Sequence, residues 1–579
     1  MKFSVLALDY DGTIAQEGVL DPEVRAAIAE VRRQGITVII ASGRTLSDLQ
    51  RVAGDLGFVD AVVAENGAVL SFANGHSRLL GPPPPEFFLA ELKRRRIAFS
   101  TGQCIVEADA SFAQAILSVI RELELPLVLL FNRSRLMVLP QSISKATGLR
   151  AALSALRLSV HNAIAIGDAE NDHDLLMVCE LGVAVAWGSR ALQAVAEEVL
   201  QGAGPSAVAA YIRQAARKGR LPPDRLSRRS VTVGTTADGR AVSFPIRGYD
   251  VLITGGPQSG KSWGTGLLCE QLILQGYCVW VVDPEGDYST LEALPGVVVI
   301  GGGESPPAPG DLEQALRHPD VSVVVDLSRV PFQLKREYLN SLLPMLASHR
   351  RSTGLPHAIV IDEAHYFLNE PNVLQLLDLD LGAYSLVTYR PSDLHPDLCR
   401  AFDIIVTMRM SDPQSIEAIL AMSHCGAGIE LRALIEGLAI NEAAILPGPV
   451  TGGKLLPFKL LPRLTQHVRH RVKYFDVSVG EGQGFVFTYK GNSVGARACS
   501  LRQFVCAVTS LPSEVLDGHA KRGDFSRWIL DVFRDHPLSS RIRKVEEQYR
   551  LAHIRDLRHA LATLVRERYD LPPSINVPG

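Results

Sequence analysis

Phe3-Ser4-Val5-Leu6-Ala7-Leu8-Asp9-Tyr10-Asp11-Gly12-Thr13 is an apolar run that ends in two carboxylates two residues apart. Continuous apolar stretches of this length read as strands buried on both faces, and ligands of open α/β sheets collect at the carboxyl ends of such strands. As the chain loops out, both carboxylates can face one phosphoryl group. One would attack phosphorus and the other would protonate the leaving group. Working outward, Thr37–Ala41, Ala61–Ala64 and Asn162–Ile166 also read as strands. Pro22–Gln34 reads as a helix with Asp21 as N-cap and proline at its first position. The alternation predicts a parallel sheet covered by helices, a Rossmann-like α/β domain over 1–212. A Pro-rich break at Gly81–Pro85 opens an inserted small α+β subdomain over about 81–140.

Three further segments fall at strand ends or helix starts in the same stretch. Ile39-Ile40-Ala41-Ser42-Gly43-Arg44 delivers a hydroxyl, Lys145 begins a helix, and Gly167-Asp168-Ala169-Glu170-Asn171-Asp172 brings acids suited to Mg²⁺. In this order the four segments resemble the haloacid dehalogenase superfamily, in its type IIB, Cof-like branch with a cap between the second and third motifs. The resemblance implies that Asp9 is the nucleophile forming an aspartyl-phosphate. Asp11 would be the general acid/base and would offer its carbonyl to the metal. Ser42 would bind a phosphoryl oxygen, Lys145 would neutralise charge, and Asp168 would ligate Mg²⁺ with support from Asp172. Metal contacts are thus expected at Asp9, Asp11, Asp168 and Asp172. Asn132, Arg133 and Arg135 in the cap are candidate substrate contacts.

The middle of the chain carries a second pattern. The strand Val251–Thr254 runs into Gly255-Gly256-Pro257-Gln258-Ser259-Gly260-Lys261-Ser262 and then a helical stretch. This is a phosphate-cradling loop in its required context: glycines let backbone N–H groups approach, Lys261 reaches the β/γ phosphates, and Ser262 holds Mg²⁺. Its partner is Ala358-Ile359-Val360-Ile361-Asp362-Glu363, a strand ending in one acid for the metal shell and one to polarise water. Together with Asp283-Pro284-Glu285-Gly286-Asp287 and Thr388-Tyr389-Arg390-Pro391, these segments resemble HerA/FtsK-like P-loop ATPases. That implies a RecA-like domain over 231–461, ATP as substrate, and a homo-oligomeric, hexameric ring. Arg390, Arg400 and Arg409 are the candidates to act across its subunit boundary. Two departures stand out. Tyr389 occupies a position where the family carries Gln, and only a hairpin over Val231–Pro245 replaces the expected N-terminal β-barrel.

A chain of 579 residues is too long for one core, and roughly three or four domains are expected. No apolar run approaches the ~18 residues of a membrane span. The eight cysteines are scattered without a Cys-x-x-Cys pair, which reads as reduced thiols in a cytoplasmic protein. The net charge of −3 is unevenly spread: −1 over 1–220, +2 over 221–229, −11 over 230–460 and +7 over 461–579. An acidic middle domain is a poor polyanion platform, and the basic C-terminal region is a better one. Residues 213–230 read as a solvated basic linker, and a basic stretch, Arg463–Lys473, leads into the last domain. Residues 474–570 read as a small α+β accessory domain opening on a hairpin, with His519 and Asp524 more plausible as a capping pair than as an acid/base pair.

Three functions compete. The first is a phosphatase of small phosphorylated metabolites, best sugar phosphates, joined to an ATPase. The second is an ATP-driven nucleic-acid machine with an end or nucleotide phosphatase. The third is a nucleotide-binding oligomerisation switch with little turnover.

Overall fold

A computed structural model describes the chain except residues 133, 224–227, 370–372, 424–428, 449, 467–478, 480, 534, 555 and 569–579. Arg133 and most of the stretch Arg463–Lys473 therefore lie outside the described residues. Among the described residues no helix is long and apolar enough to cross a membrane.

The N-terminal domain is built on an eight-stranded sheet in which Val5–Leu8 lies between Thr37–Ala41 and Ala163–Gly167. These pairings are parallel, with Val5 opposite Thr37 and Ala163, so the carboxyl ends of the strands share one edge. All four residues of Val5–Leu8 are buried, as a strand covered on both faces requires. The helix Pro22–Arg33 begins as expected: the Asp21 carboxylate accepts the N–H groups of Glu23 and Val24, and Val24, Ala27, Ile28 and Val31 face the core. The cap is a four-stranded antiparallel sheet with the helices Glu86–Arg94 and Ala113–Glu122, and it has its own apolar cluster around Phe88, Ile116 and Val138.

The central domain is an eleven-stranded sheet. Val251–Thr254 lies between Ile404–Met408 and Tyr384–Thr388, followed outward by Ala358–Ile361, Val279–Asp283, Ser322–Asp326 and Val297–Gly301, all parallel. On the other side Glu442–Ile445 and Leu456–Leu460 run antiparallel, and the hairpin Ser230–Thr235/Ala241–Pro245 extends that edge. Residues Val231–Pro245 thus add to the central sheet.

The two domains share one continuous apolar core that runs from Phe3 and Leu6 to Tyr277 and Val281. A buried polar seam accompanies it. Glu180 of the N-terminal domain accepts from His161 at 2.7 Å and from the Tyr277 hydroxyl of the central domain at 3.0 Å. Arg247 and Arg229 lie 3.5 and 3.4 Å from the same carboxylate. Burial opposes the Glu180 charge, but His161, Arg229 and Arg247 outweigh it and hold the carboxyl at about 2.

The stretch 213–230 departs from the solvated linker expected of it. The helix Gly204–Lys218 runs into it, and Arg228 and Arg229 donate to backbone carbonyls between Leu176 and Glu180. These arginines satisfy the carbonyls at the end of the helix His173–Val178, so their charge is spent on the protein. Arg463, the first residue of the second basic stretch, is likewise buried. It pairs with Glu270 at 3.0 Å, and the same carboxylate accepts the N–H groups of Leu464 and Thr465.

The C-terminal domain packs the hairpin Phe485–Tyr489/Asn492–Ala498 and several helices around Phe487, Phe504 and Phe525.

Candidate functional site

Four segments of the N-terminal sheet meet at its carboxyl edge. Asp9 follows Val5–Leu8 and is 4% exposed. Lys145, the first residue of the helix Lys145–Leu156, is fully buried, with Nζ 2.5 Å from Asp9 Oδ1 and 2.6 Å from Asp172 Oδ1. A capping box places that helix start: the Thr147 N–H donates to Ser144 Oγ, and the Ser144 N–H donates to Thr147 Oγ1. The other Asp172 oxygen accepts the N–H groups of Asp168 and Ala169, which fixes the acidic loop around it. Thr13 Oγ1 donates to Asp9 at 3.1 Å. Ser42 is buried beside them, its N–H bonded to Val63 and its Oγ accepting from the Arg44 N–H.

The electrostatics suit a divalent cation. Asp9, Asp168 and Asp172 offer carboxylate oxygens within 4.8 Å of one another, all buried, against the single ammonium of Lys145. Burial pulls the Lys145 pKa down, but Asp172 and Asp9 overcome it and keep the amine protonated. Burial and the neighbouring Asp172 push the Asp9 carboxyl well above its ordinary value despite Lys145, as crowded acids short of positive charge do, and a hard oxygen donor set of this kind fits Mg²⁺.

Several contacts of this site carry no sequence signature. Arg44 grips Asp11 through Nε and Nη2 at 2.6 and 2.7 Å, and also reaches Asp48 at 2.5 Å. Glu65, in a turn where Glu65 and Asn66 both take positive φ, receives the N–H groups of Gln103 and Cys104, each at 2.8 Å. That carboxylate ties the cap to the sheet. Trp187 Nε1 donates to the Gly12 carbonyl at 2.8 Å. The cap strands close over the acids, and Glu107, Asn132, Arg135 and Met137 face Asp9, Asp11 and Arg44 across a cavity of about 30 Å³. Arg135 and Glu107 form an ion pair there.

A second cluster occupies the carboxyl edge of the central sheet. Residues 255–260 wrap from Val251–Thr254 to the helix Lys261–Leu274, with Gln258 and Gly260 at positive φ. The Gly256 N–H donates to the Arg409 carbonyl, and Lys261 Nζ donates to the Gly256 carbonyl at 3.0 Å. Pro257 and Ser259 lie in the turn between them. Ser262 Oγ donates to Asp287 at 2.7 Å. Asp362 and Glu363 are buried at the end of Ala358–Ile361. Lys261 Nζ lies 5.7 Å from the Tyr389 ring, and His365 packs edge-on to the same ring. Arg390 lies over the Tyr389 ring at 5.3 Å, whereas Arg400 is 82% exposed and pairs only loosely with Asp397.

In the C-terminal domain His519 is buried. Its Nδ1 faces Asp524 at 2.8 Å, and Nε2 accepts the Thr488 N–H. Both ring nitrogens are thus engaged, and His519 joins the hairpin strand Phe485–Tyr489 to Asp524.

Residues 6–79 and 100–212 match the family of haloacid dehalogenase-like hydrolases. The first ~220 residues are a haloacid dehalogenase-superfamily, Cof-like hydrolase domain. The phosphoglycolate phosphatase of Methanothermobacter thermautotrophicus is 27% identical over 218 residues, 36% of this chain and 97% of the relative. That of Methanosarcina mazei is 24% identical over 214 residues, 35% of this chain and 91% of the relative. Among solved structures, a haloacid dehalogenase-like hydrolase from Bacteroides thetaiotaomicron aligns at 17% identity and a TM-score of 0.33, covering 37% of this chain and 99% of its own.

Proposed function

We propose that the protein is a Mg²⁺-dependent phosphomonoesterase working through an aspartyl-phosphate at Asp9, fused to an ATP-hydrolysing P-loop module. The observation that carries the first part is the buried Asp9–Lys145–Asp172 contact set at a strand end, with Asp11 two residues on. Asp9 attacks phosphorus, the ester P–O bond breaks, and the departing alkoxide takes a proton from Asp11. Asp11 then accepts a proton from water as that water attacks the aspartyl-phosphate, releasing inorganic phosphate and Asp9. Lys145 and Ser42 hold the phosphoryl oxygens in line; Asp9, Asp168 and the Asp11 carbonyl, with Asp172 in support, would hold Mg²⁺, which would supply charge neutralisation.

The substrate we favour is a small sugar phosphate, because Glu107, Arg135 and Asn132 combine acceptors and donors that suit hydroxyl groups. The archaeal relatives support a second reading, 2-phosphoglycolate, whose carboxylate Arg135 would meet. The cavity admits little more than a water or two, so the cap opens for entry in either case. Phosphate release from a panel of sugar phosphates and 2-phosphoglycolate tests both. Activity surviving Asp9→Asn removes the nucleophile assignment.

For the central module, strand, Gly-rich turn and helix support ATP binding by residues 255–262, with Glu363 polarising the attacking water. Arg390, Arg400 and Arg409 are all exposed, and each is a candidate to act on a neighbouring subunit in a ring. ATP turnover unchanged by Glu363→Gln would overturn the role of that acid. Stimulation by DNA would favour an ATP-driven nucleic-acid machine over a metabolite phosphatase, and nucleotide binding without turnover would favour an oligomerisation switch.

A further inference from the structure

The segment Asp283–Tyr288 is braced more heavily than a surface turn needs. The Asp283 carboxylate accepts the N–H groups of Gly286, Asp287 and Tyr288 at 2.7, 3.0 and 2.9 Å. Lys335 Nζ holds the Pro284 carbonyl at 2.7 Å, Gly286 takes positive φ, and the Tyr288 side chain is fully buried. What this brace presents is Asp287, 4% exposed, whose Oδ2 receives the hydroxyl hydrogen of Ser262 at 2.7 Å. The strand Val279–Asp283 from which it springs pairs directly with Ala358–Ile361, so Asp287 and Asp362 leave neighbouring strands on the same edge. Within the Gly-rich turn, the buried Ser259 hydroxyl has no hydrogen-bond partner among the described residues, as befits a turn shaped to receive a polar ligand.

We infer that Asp287 is a positioning residue for the metal of the nucleotide site: it holds the Ser262 hydroxyl so that the oxygen lone pairs face Mg²⁺. This rests on reading residues 255–262 as a Mg·nucleotide site. A serine hydroxyl has one hydrogen and two acceptor lone pairs. With the hydrogen committed to a fixed carboxylate, only lone pairs remain for a cation, and the bonded oxygen becomes a better donor. Outer carboxylates that orient a metal ligand in this way are worth 10- to 100-fold in metal affinity. Ser262 and Asp362 supply the hard oxygens Mg²⁺ prefers.

The test is the affinity of the full-length protein for a fluorescent ADP analogue, measured with Mg²⁺ and again with EDTA. The ratio of the two affinities isolates the metal's contribution and does not report on the phosphatase site. In Asp287→Ala the tightening by Mg²⁺ is expected to fall at least tenfold, with the EDTA affinity within about twofold of wild type. Asp287→Asn, which keeps an acceptor and removes the charge, is expected to fall between. Matching thermal melting curves establish that the variants fold, and Asp287→Asn carries the test should Asp287→Ala not fold. Wild type that binds no nucleotide removes the nucleotide-site reading and this inference with it. Wild type that binds nucleotide, beside variants with an unchanged Mg²⁺ ratio, or with the EDTA affinity lost to the same extent, overturns the inference alone.

Discussion

Arg44 holds both carboxylate oxygens of Asp11, the residue assigned to proton transfer, in a bidentate grip at 2.6 and 2.7 Å. A planar guanidinium fixes the plane of the carboxylate as well as its position, which an ammonium cannot do. The grip therefore orients the Asp11 carboxylate at the site. Arg44→Lys and Arg44→Ala are expected to lower kcat for phosphate release by about 10- to 100-fold, part of the 10²- to 10⁴-fold a general acid/base contributes. An unchanged kcat in both variants would show the grip to be incidental.

Gly67 bears on catalysis without touching a reactant. It takes φ +110°, and a Cβ there would overlap the Ser144 carbonyl oxygen at the start of the helix that carries Lys145. Gly67→Ala should lift that helix start away from Asp9 and Asp172. The expected result is a loss of about 2–4 kcal/mol in unfolding free energy together with a large fall in phosphatase turnover, since backbone strain and overpacking add. Chemical denaturation and phosphate release measured on the same preparation check it.

The seam between the modules makes a different prediction. Arg247 is buried against Glu180 and Glu197. Arg247→Ala leaves those carboxylates short of a counter-charge and should cost roughly 3–5 kcal/mol. Because Glu180 is held at about 2, below its ordinary value of 4.5, its contribution is complete above pH 4.5 and drains away as pH falls toward 2. Denaturation curves for wild type and Arg247→Ala should therefore converge in acid. A constant gap across that range would mean that Arg247 acts through packing alone.

Asp250 has the opposite sign. Burial, with a smaller push from Asp403, raises its carboxyl to about 7 in the folded protein, against 3.8 unfolded. The native state then binds more protons than the unfolded chain between pH 4 and 7, and stability from this group falls as pH rises through that window. Asp250→Asn keeps an oxygen to accept the Tyr384 N–H and cannot ionise. Relative to wild type, the variant is expected to gain on the order of 2–4 kcal/mol between pH 4.5 and 8. Thermal melts across that range decide it, and a flat difference would remove the linkage.

The features legible in the sequence are those written locally. A buried strand announces its own end, so the residue order alone places Asp9, Asp11 and the loop at 255–262. The Asp21 cap follows from the same kind of short-range pattern. Lys145 and Asp172 lie 27 residues apart, and their meeting at 2.6 Å is foreshadowed only by the resemblance to a family. Contacts between distant backbones give no signal at all. Nothing in Glu65 foretells that it receives two N–H groups from the cap, nor in Trp187 that it bonds the Gly12 carbonyl. Arg228 and Arg229 run against the linker expectation for a physical reason: composition counts a guanidinium as solvated, whereas here its hydrogens satisfy carbonyls at a helix end.

Glu180 also bears on how this chain can be divided. Its partners come from both sides of the boundary: His161 from its own module, Arg229 from the connecting stretch, and Tyr277 and Arg247 from the central module. A cut between them would leave Glu180 only His161 of these partners and the other fragment an unmatched cluster of cations, each facing water across a freshly opened apolar face. Recombination that reshuffles domains as interchangeable cassettes would meet the same obstacle.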